Sequence, residues 1–456
     1  MPDVAVPTMG CRVPRGRGWV VRAVGLVSVF VLVWSGVGAA QADPVVQPDG
    51  NWWYGALGVP QAQAEGITGA GVPVAVVERL VDPDLPVLVD AHLTVREPSF
   101  CAGPDGGAVP ATSDMGSQGV YVGTNAVAII AGNGSGALGD VSMSGVAPGA
   151  DVRFYSIADR CITYGYADAA RALVQAVDDG ARIVAMPYMR VDADREVSQA
   201  VAYALHEKVV IVVPACGSEA VPWMANLNGV VTVCAAYAGG GLWPAPFGKV
   251  TVSAPGYPLR VERVEFGTTD WYTGDSQSLP ELSAPLVAGM LADVAQRWPA
   301  ATNDQLIQTL IRNTGPDDHD LVYDDVAGYG PADLLHMLRT DPTGYPDENP
   351  LIVPDDGQQY GLTAEAIRAA ELPEWAVAQP TQTPISPSPA VRDTSPRRSW
   401  AVGIGVAAVL LVGATAAVVT FRRRNRVSSV ETAVPTPPET GSSADNVQEK
   451  RRQESG

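Results

Sequence analysis

Along the middle of the chain, short β-branched runs alternate with helical stripes. Pro73 to Val77, Val152 to Ile157, Arg182 to Met186, Val209 to Val213 and Val230 to Cys234 are near-continuous apolar runs of strand length. Between them, Tyr166 to Asp178 places Ala167, Ala170, Leu173, Val174 and Val177 on one helical face, and Glu196 to His206 and Leu286 to Trp298 behave likewise. Strands that are apolar on both faces and separated by amphipathic helices predict an α/β fold, a parallel sheet covered by helices on both sides. The pattern fades after Thr340. From Asp341 to Arg398, Pro380, Pro384, Pro387, Pro389 and Pro396 gather among Thr, Ser and Gln, which predicts an extended linker over 341–398.

Both ends carry membrane signals. Arg15, Arg17 and Arg22 precede an apolar run from Ala23 to Trp34 and then Ala40-Gln41-Ala42, the form of a secretory signal peptide over residues 1–42 with cleavage before Asp43. Trp400 to Phe421 is uncharged and long enough to cross ~30 Å of hydrocarbon, so residues 399–421 predict one transmembrane helix. Arg422, Arg423, Arg424 and Arg426 follow at once, which places the tail 422–456 in the cytoplasm and the body outside the cell membrane. Charge agrees with this division. There are four Arg against one Asp before Asp43 and seven Lys or Arg against five acidic residues after Phe421. Residues 43–398 hold 19 basic and 43 acidic residues, which excludes nucleic acid as a partner. Charged residues make up only 17% of the chain and hydrophobic ones 46%, which excludes a wholly disordered protein.

Cysteine usage fits export. Cys11 leaves with the signal, and Cys101, Cys161, Cys216 and Cys234 form an even set for an oxidising compartment. Of three possible pairings, Cys101–Cys161 with Cys216–Cys234 is favoured, because the second would staple one strand end to the start of the next; free buried thiols are the alternative.

Seven segments in order resemble the subtilisin-like serine peptidases. Gly69 to Val77 is similar to the strand that delivers the catalytic aspartate, and Val122-Gly123-Thr124-Asn125-Ala126-Val127-Ala128-Ile129-Ile130-Ala131-Gly132 to the histidine motif HGTxVAxIIAG. Gly145-Val146-Ala147-Pro148-Gly149-Ala150-Asp151-Val152 matches GVAPxAxV. Ala215-Cys216-Gly217-Ser218 stands where AAGN belongs, Ser253-Ala254-Pro255-Gly256 matches the SAPG turn, and Ser283-Ala284-Pro285-Leu286-Val287-Ala288-Gly289 resembles the end of GTSxAxPxVAG. Gly328-Tyr329-Gly330 with Asp333 resembles GYGxxD. The resemblance implies a subtilisin-like domain over residues 43–340. The order of signal, body, proline-rich linker, single membrane helix and basic tail further resembles the mycosins, membrane-anchored proteases of type VII secretion. That implies the type VII membrane complex as partner, with exported peptides as possible occupants of the cleft.

The resemblance also assigns the catalytic positions: Glu78 stands for the aspartate, Val122 for the histidine, Ser218 for the oxyanion-binding asparagine and Glu281 for the serine. None is the residue that acyl transfer needs. Val122 cannot take a proton, and Glu281 would repel a developing oxyanion. The expectation is a pseudoprotease without cofactor or metal. The competing reading is an active endopeptidase acting on exported proteins. Ser276, Ser278 and Ser283 are out of register with Pro285, and His92, His206, His319 and His336 lie outside the histidine motif. Ser278-Leu279-Pro280-Glu281 instead reads as a capping box ahead of a helix. Asp317, Asp318, Asp320, Asp324 and Asp325 lack calcium-loop spacing and read as a solvated loop. Trp52-Trp53-Tyr54 reads as an arm packed on the body.

Overall fold

The computed structural model describes residues 50–158, 166–187, 194–216, 223–244, 248–276, 279–354, 362–376 and 383–385. The expected signal peptide, membrane helix and tail lie outside the described residues. Among the described residues no helix is long and apolar enough to cross a membrane.

The strands are β1 (Pro73–Glu78), β2 (Leu93–Glu97), β3 (Asn133–Ser135), β4 (Val141–Ser144), β5 (Asp151–Ser156), β6 (Ile183–Ala185), β7 (Val210–Pro214), β8 (Val231–Tyr237), β9 (Val252–Tyr257), β10 (Arg260–Val264), β11 (Trp271–Asp275) and β12 (Thr383–Ile385). Eight form one sheet in the order β12-β2-β5-β1-β6-β7-β8-β9, parallel throughout except for β12, which runs antiparallel to β2. The pairs β3–β4 and β10–β11 are separate antiparallel ribbons.

The apolar strand runs are explained by two cores. Val74 and Val76 of β1, with Val210 and Val212 of β7, enter one, while Ala75, Val77, Ile211 and Val213 enter the other. The first core is filled by α3 (Gln118–Ala131) and α6 (Ser283–Arg297), whose residues from Ser283 to Ala295 are all buried. The second is covered by α4 (Tyr166–Asp178) and α5 (Arg195–His206). The arm forms α1 (Trp52–Ala56) and α2 (Val59–Ala64). Trp53 is fully buried and the Trp52 indole donates to Pro258 O at 2.7 Å, so the arm packs as its sequence implies. Helices α7 (Asn303–Arg312) and α8 (Leu334–Arg339) close the body.

Three expectations need correction. Ser253 to Gly256, read as a turn, lies within β9; Pro255 is tolerated because β9 is an edge strand. The stretch read as linker from Asp341 is at first part of the body: α9 (Ala364–Arg368) buries Ala364 and Ile367 beside Leu362, and Thr383–Ile385 is strand β12. The Ser278 capping box gives way to a 3-10 turn, Pro280–Leu282, with Leu279 in the N-cap position and no side-chain cap; Ser278 itself lies outside the described residues. Ser283 Oγ donates to Pro280 O at 2.8 Å instead.

Candidate active site

Three elements meet where the family resemblance places the triad. Strand β1 ends at Glu78, which is fully buried and paired in register with Ser156 of β5. Its Oε1 accepts from the Arg79 backbone N at 2.9 Å and from Arg79 Nε at 3.0 Å. Arg79 is anchored in turn, since its carbonyl accepts from Ser156 Oγ and from Ala158 N. A buried carboxylate thus meets a guanidinium on the next residue, the charge pairing that burial of an ionised group demands.

Helix α3 starts at the Ser117 cap, whose side chain accepts from Val120 N at 3.2 Å. Its first turns lie against the loop leaving β1. A Cβ on Gly123 would stand 2.1 Å from Leu80 O, so only glycine permits this approach. Thr124 Oγ1 receives Asp82 N at 3.0 Å. Val122 follows the helical phase into the apolar core and is fully buried. Asn125 fastens α3 to the β10–β11 ribbon: its Nδ2 donates to Tyr121 O at 2.8 Å and Glu262 O at 2.7 Å, and its Oδ1 accepts from Glu262 N at 2.9 Å.

Glu281 lies in the 3-10 turn that runs into α6 and is half-buried. Its charge reaches Tyr121, the residue beside Val122. Burial foremost, with the Glu281 and Tyr272 charges adding to it and Arg263 opposing, pushes the Tyr121 phenol up to about 12. The positions that the resemblance assigns to aspartate, histidine and serine thus lie at the end of β1, in the first turns of α3 and in the turn leading into α6, and open parallel sheets place their sites at the carboxyl ends of strands. Ser218, the fourth position, lies outside the described residues. The preceding Cys216 is bonded to Cys234 with Cα atoms 4.9 Å apart, which ties the exit of β7 to the middle of β8 rather than to its start. Cys101 is also disulfide-bonded, to a partner outside the described residues, where Cys161 falls.

The other sequence candidates lie apart from this cluster or lack its chemistry. Ser276 is buried and its Oγ accepts from Leu259 N. His92 is on the surface, 3.8 Å from Asp151. His319 and His336 hydrogen-bond within the loop after α7. His206 ends α5. Asp317, Asp318, Asp320, Asp324 and Asp325 are exposed, and among the described residues no group of three or more His, Cys, Asp or Glu could hold a metal.

Two residues of the site escaped the sequence reading. Tyr121 sits one place before the histidine position, where no motif directs attention. Asp82 is 5% exposed, and burial, reinforced by the charges of Asp84 and Asp114, raises its carboxyl to about 6 against hydrogen bonds from Asp84 and Trp271. Its signal was Asp82-Pro83-Asp84, an aspartate-rich turn just past the strand; Asp84 N donates to Asp82 Oδ1 at 3.2 Å.

Comparison with known proteins gives one family. The subtilase family, Peptidase_S8, matches residues 69–330. Fervidolysin of Fervidobacterium pennivorans is 28% identical over 344 residues, 68% of this chain and 47% of its own, and the thermostable alkaline protease of Halalkalibacterium halodurans is 28% identical over 57% of this chain and 66% of its own. This chain thus spans about half of the first relative and just under two thirds of the second. The crystal structure of fervidolysin, described as a keratinolytic enzyme related to subtilisin, aligns at 27% identity with a TM-score of 0.50 over 63% of this chain and 45% of that one. MycP1 from Mycobacterium smegmatis aligns at 23% identity and a TM-score of 0.48, over 66% of this chain and 88% of that one.

Proposed function

The chain belongs to the subtilase family, and we propose that within it this protein is a pseudoprotease, a subtilisin-like body that binds or scaffolds rather than cleaves. The observation that carries the proposal is Val122, an aliphatic side chain fully buried where the family's general base belongs. Acyl transfer needs a group that takes the nucleophile's proton near neutral pH. The adjacent residue, Tyr121, keeps its proton until about 12 and cannot substitute. Glu281 puts a carboxylate at the nucleophile position, and the Glu78 charge is already engaged by Arg79. Family relatives are named as proteases, and that activity is theirs.

The finer reading is a membrane-anchored, extracytoplasmic component of a type VII secretion complex. It is supported by the order of signal peptide, body, proline-rich segment, apolar stretch and basic tail along the sequence.

The test of inactivity is labelling of the purified full-length chain with a fluorophosphonate beside an active subtilisin. No labelling is expected. Stoichiometric labelling abolished by one Ser→Ala substitution would restore the endopeptidase reading. The assembly reading is tested by native size separation of detergent-solubilised membranes: migration with larger membrane proteins supports it, and migration as the free chain removes it.

A further inference from the structure

A second surface lies at the opposite end of the sheet from Glu78. Eleven consecutive residues after α7, from Pro316 to Val326, are exposed, and they include Leu321 at 42%, Val322 at 66%, Tyr323 at 42% and Val326 at 57%. Large apolar side chains exposed together on one loop, rather than scattered singly, mark an interaction surface.

This loop is held. One ring nitrogen of His319 lies 2.8 Å from Thr314 O and 2.9 Å from Thr314 Oγ1, and the other 2.7 Å from Asp320 O. His336, buried on α8, meets Gly315 O at 2.8 Å and Asp318 Oδ1 at 3.0 Å. Arg339 donates to Pro316 O at 2.8 Å. Asp324 accepts from Val326 N and Ala327 N and bridges by backbone to Gly328, and the Tyr323 and Tyr329 rings meet edge-on at 5.2 Å. The backbone is thus held on both sides of the exposed Leu321 and Val322, a preorganisation that lowers the cost of binding.

Beside the loop opens a cleft of about 210 Å³ between the amino ends of β8 and β9, lined by Leu227, Val230, Leu351, Val353, Tyr323 and Tyr329, with Lys249 as its one charged side chain, so that the negative charge lies on the loop and the cleft itself takes the apolar anchors. Tyr323 belongs to both loop and cleft. Charge supplies the other half of the description. Asp317, Asp318, Asp320, Asp324 and Asp325 surround the apolar residues, with no Lys or Arg between Gly315 and Tyr329.

We propose that this loop and cleft form a docking surface for a segment of another protein that is basic and carries apolar anchors. Its aliphatic or aromatic side chains would enter the cleft against Tyr323 and Tyr329, and its Lys or Arg would face Asp317, Asp320 and Asp325. The five carboxylates argue against an anionic lipid surface. They argue equally against a second copy docking through the same face, because an isologous contact would bring the two acidic rims together. The inference stands apart from the state of the catalytic positions, and either outcome at Val122 or Glu281 leaves it unchanged.

The experiment places photoreactive p-benzoylphenylalanine at Val322 of the full-length chain in the cells that make it, with the exposed Gln61 as control position. Cross-linked stretches are identified by mass spectrometry. The expected result is a cross-link from position 322, absent from position 61, to a stretch of a different protein with Lys or Arg beside apolar residues. Joint charge reversal by Asp317→Lys, Asp320→Lys and Asp325→Lys should lower its yield about tenfold. If that variant does not fold, judged by its thermal midpoint, the three Asp→Asn changes replace it and should lower the yield about threefold. Cross-links to lipid, to a second copy or to a stretch without basic residues overturn the proposal. So do a yield indifferent to the substitutions and the absence of any cross-link specific to position 322.

Discussion

Asp293, in the middle of α6, offers the sharpest test of the energetic reasoning. The helix is buried on all sides here, and Asp293 is fully buried among residues that are otherwise apolar. Neither carboxyl oxygen has a hydrogen-bond partner among the described residues, although the Gly69 N–H lies near enough to offset the burial slightly. Burial therefore holds this carboxyl well above its ordinary value of 3.8. Replacing it as Asp293→Leu keeps the side-chain length and removes an unsatisfied polar group, whose burial costs about 1–3 kcal/mol. The variant should gain at least about 2 kcal/mol at neutral pH, or roughly 4 °C or more in thermal midpoint. The pH dependence fixes the sign. Between 3.8 and the raised folded-state value, the native chain holds a proton that the unfolded chain has released. The parent is thus most stable at the acid end of that window and loses up to ~1.4 kcal/mol per pH unit as pH rises through it. Asp293→Leu should lack that slope, so the gap between the two proteins widens with pH. Thermal unfolding followed by tryptophan fluorescence on the full-length chain, at a series of pH values from about 5 to 8, reads both quantities. A variant less stable than the parent at neutral pH, or two proteins with parallel pH profiles, would refute the reasoning.

Two further outcomes follow from the site. Asp82, raised to about 6 by burial, also favours the folded state when protonated, so Asp82→Asn should be more stable than the parent at pH 7 by about 2 kcal/mol and equal to it near pH 4, as measured by urea unfolding at both values. Asn125→Leu removes three hydrogen bonds and strands the buried Glu262 backbone groups; it should cost about 3 kcal/mol and speed proteolysis within the β10–β11 ribbon, whereas a digestion pattern like the parent's would show that the ribbon is held by other means.

The sheet was legible where strands are apolar on both faces, because a parallel strand between two cores presents an apolar residue at nearly every position; β1 and β7 are such cases. Strand β9 was hidden by Pro255, which only an edge position excuses. The body's last segment was hidden by sparseness: Leu362, Ile367 and Trp375 pack on the second core, but too few apolar positions separate them to make a period. Glu78, Val122 and Glu281 could be placed because flanking motifs count the register for them. Asp82 and Tyr121 lie outside those motifs, and their character comes from burial and from charges brought in by Asp114 and Glu281, which are distant in sequence.

The short strand β12 sits at the rim of the large sheet, with Thr383 opposite Glu97, Pro384 opposite Arg96 and Ile385 opposite Val95. Its partner β2 is made early and β12 last of the described strands, with nearly the whole body between them. As the chain emerges from its amino end, β2 must therefore wait with unpaired backbone groups along one side, the condition that invites pairing with a stranger. Closure of this edge therefore waits until the chain as far as Ile385 has emerged, which couples completion of the sheet to synthesis of the body between β2 and β12.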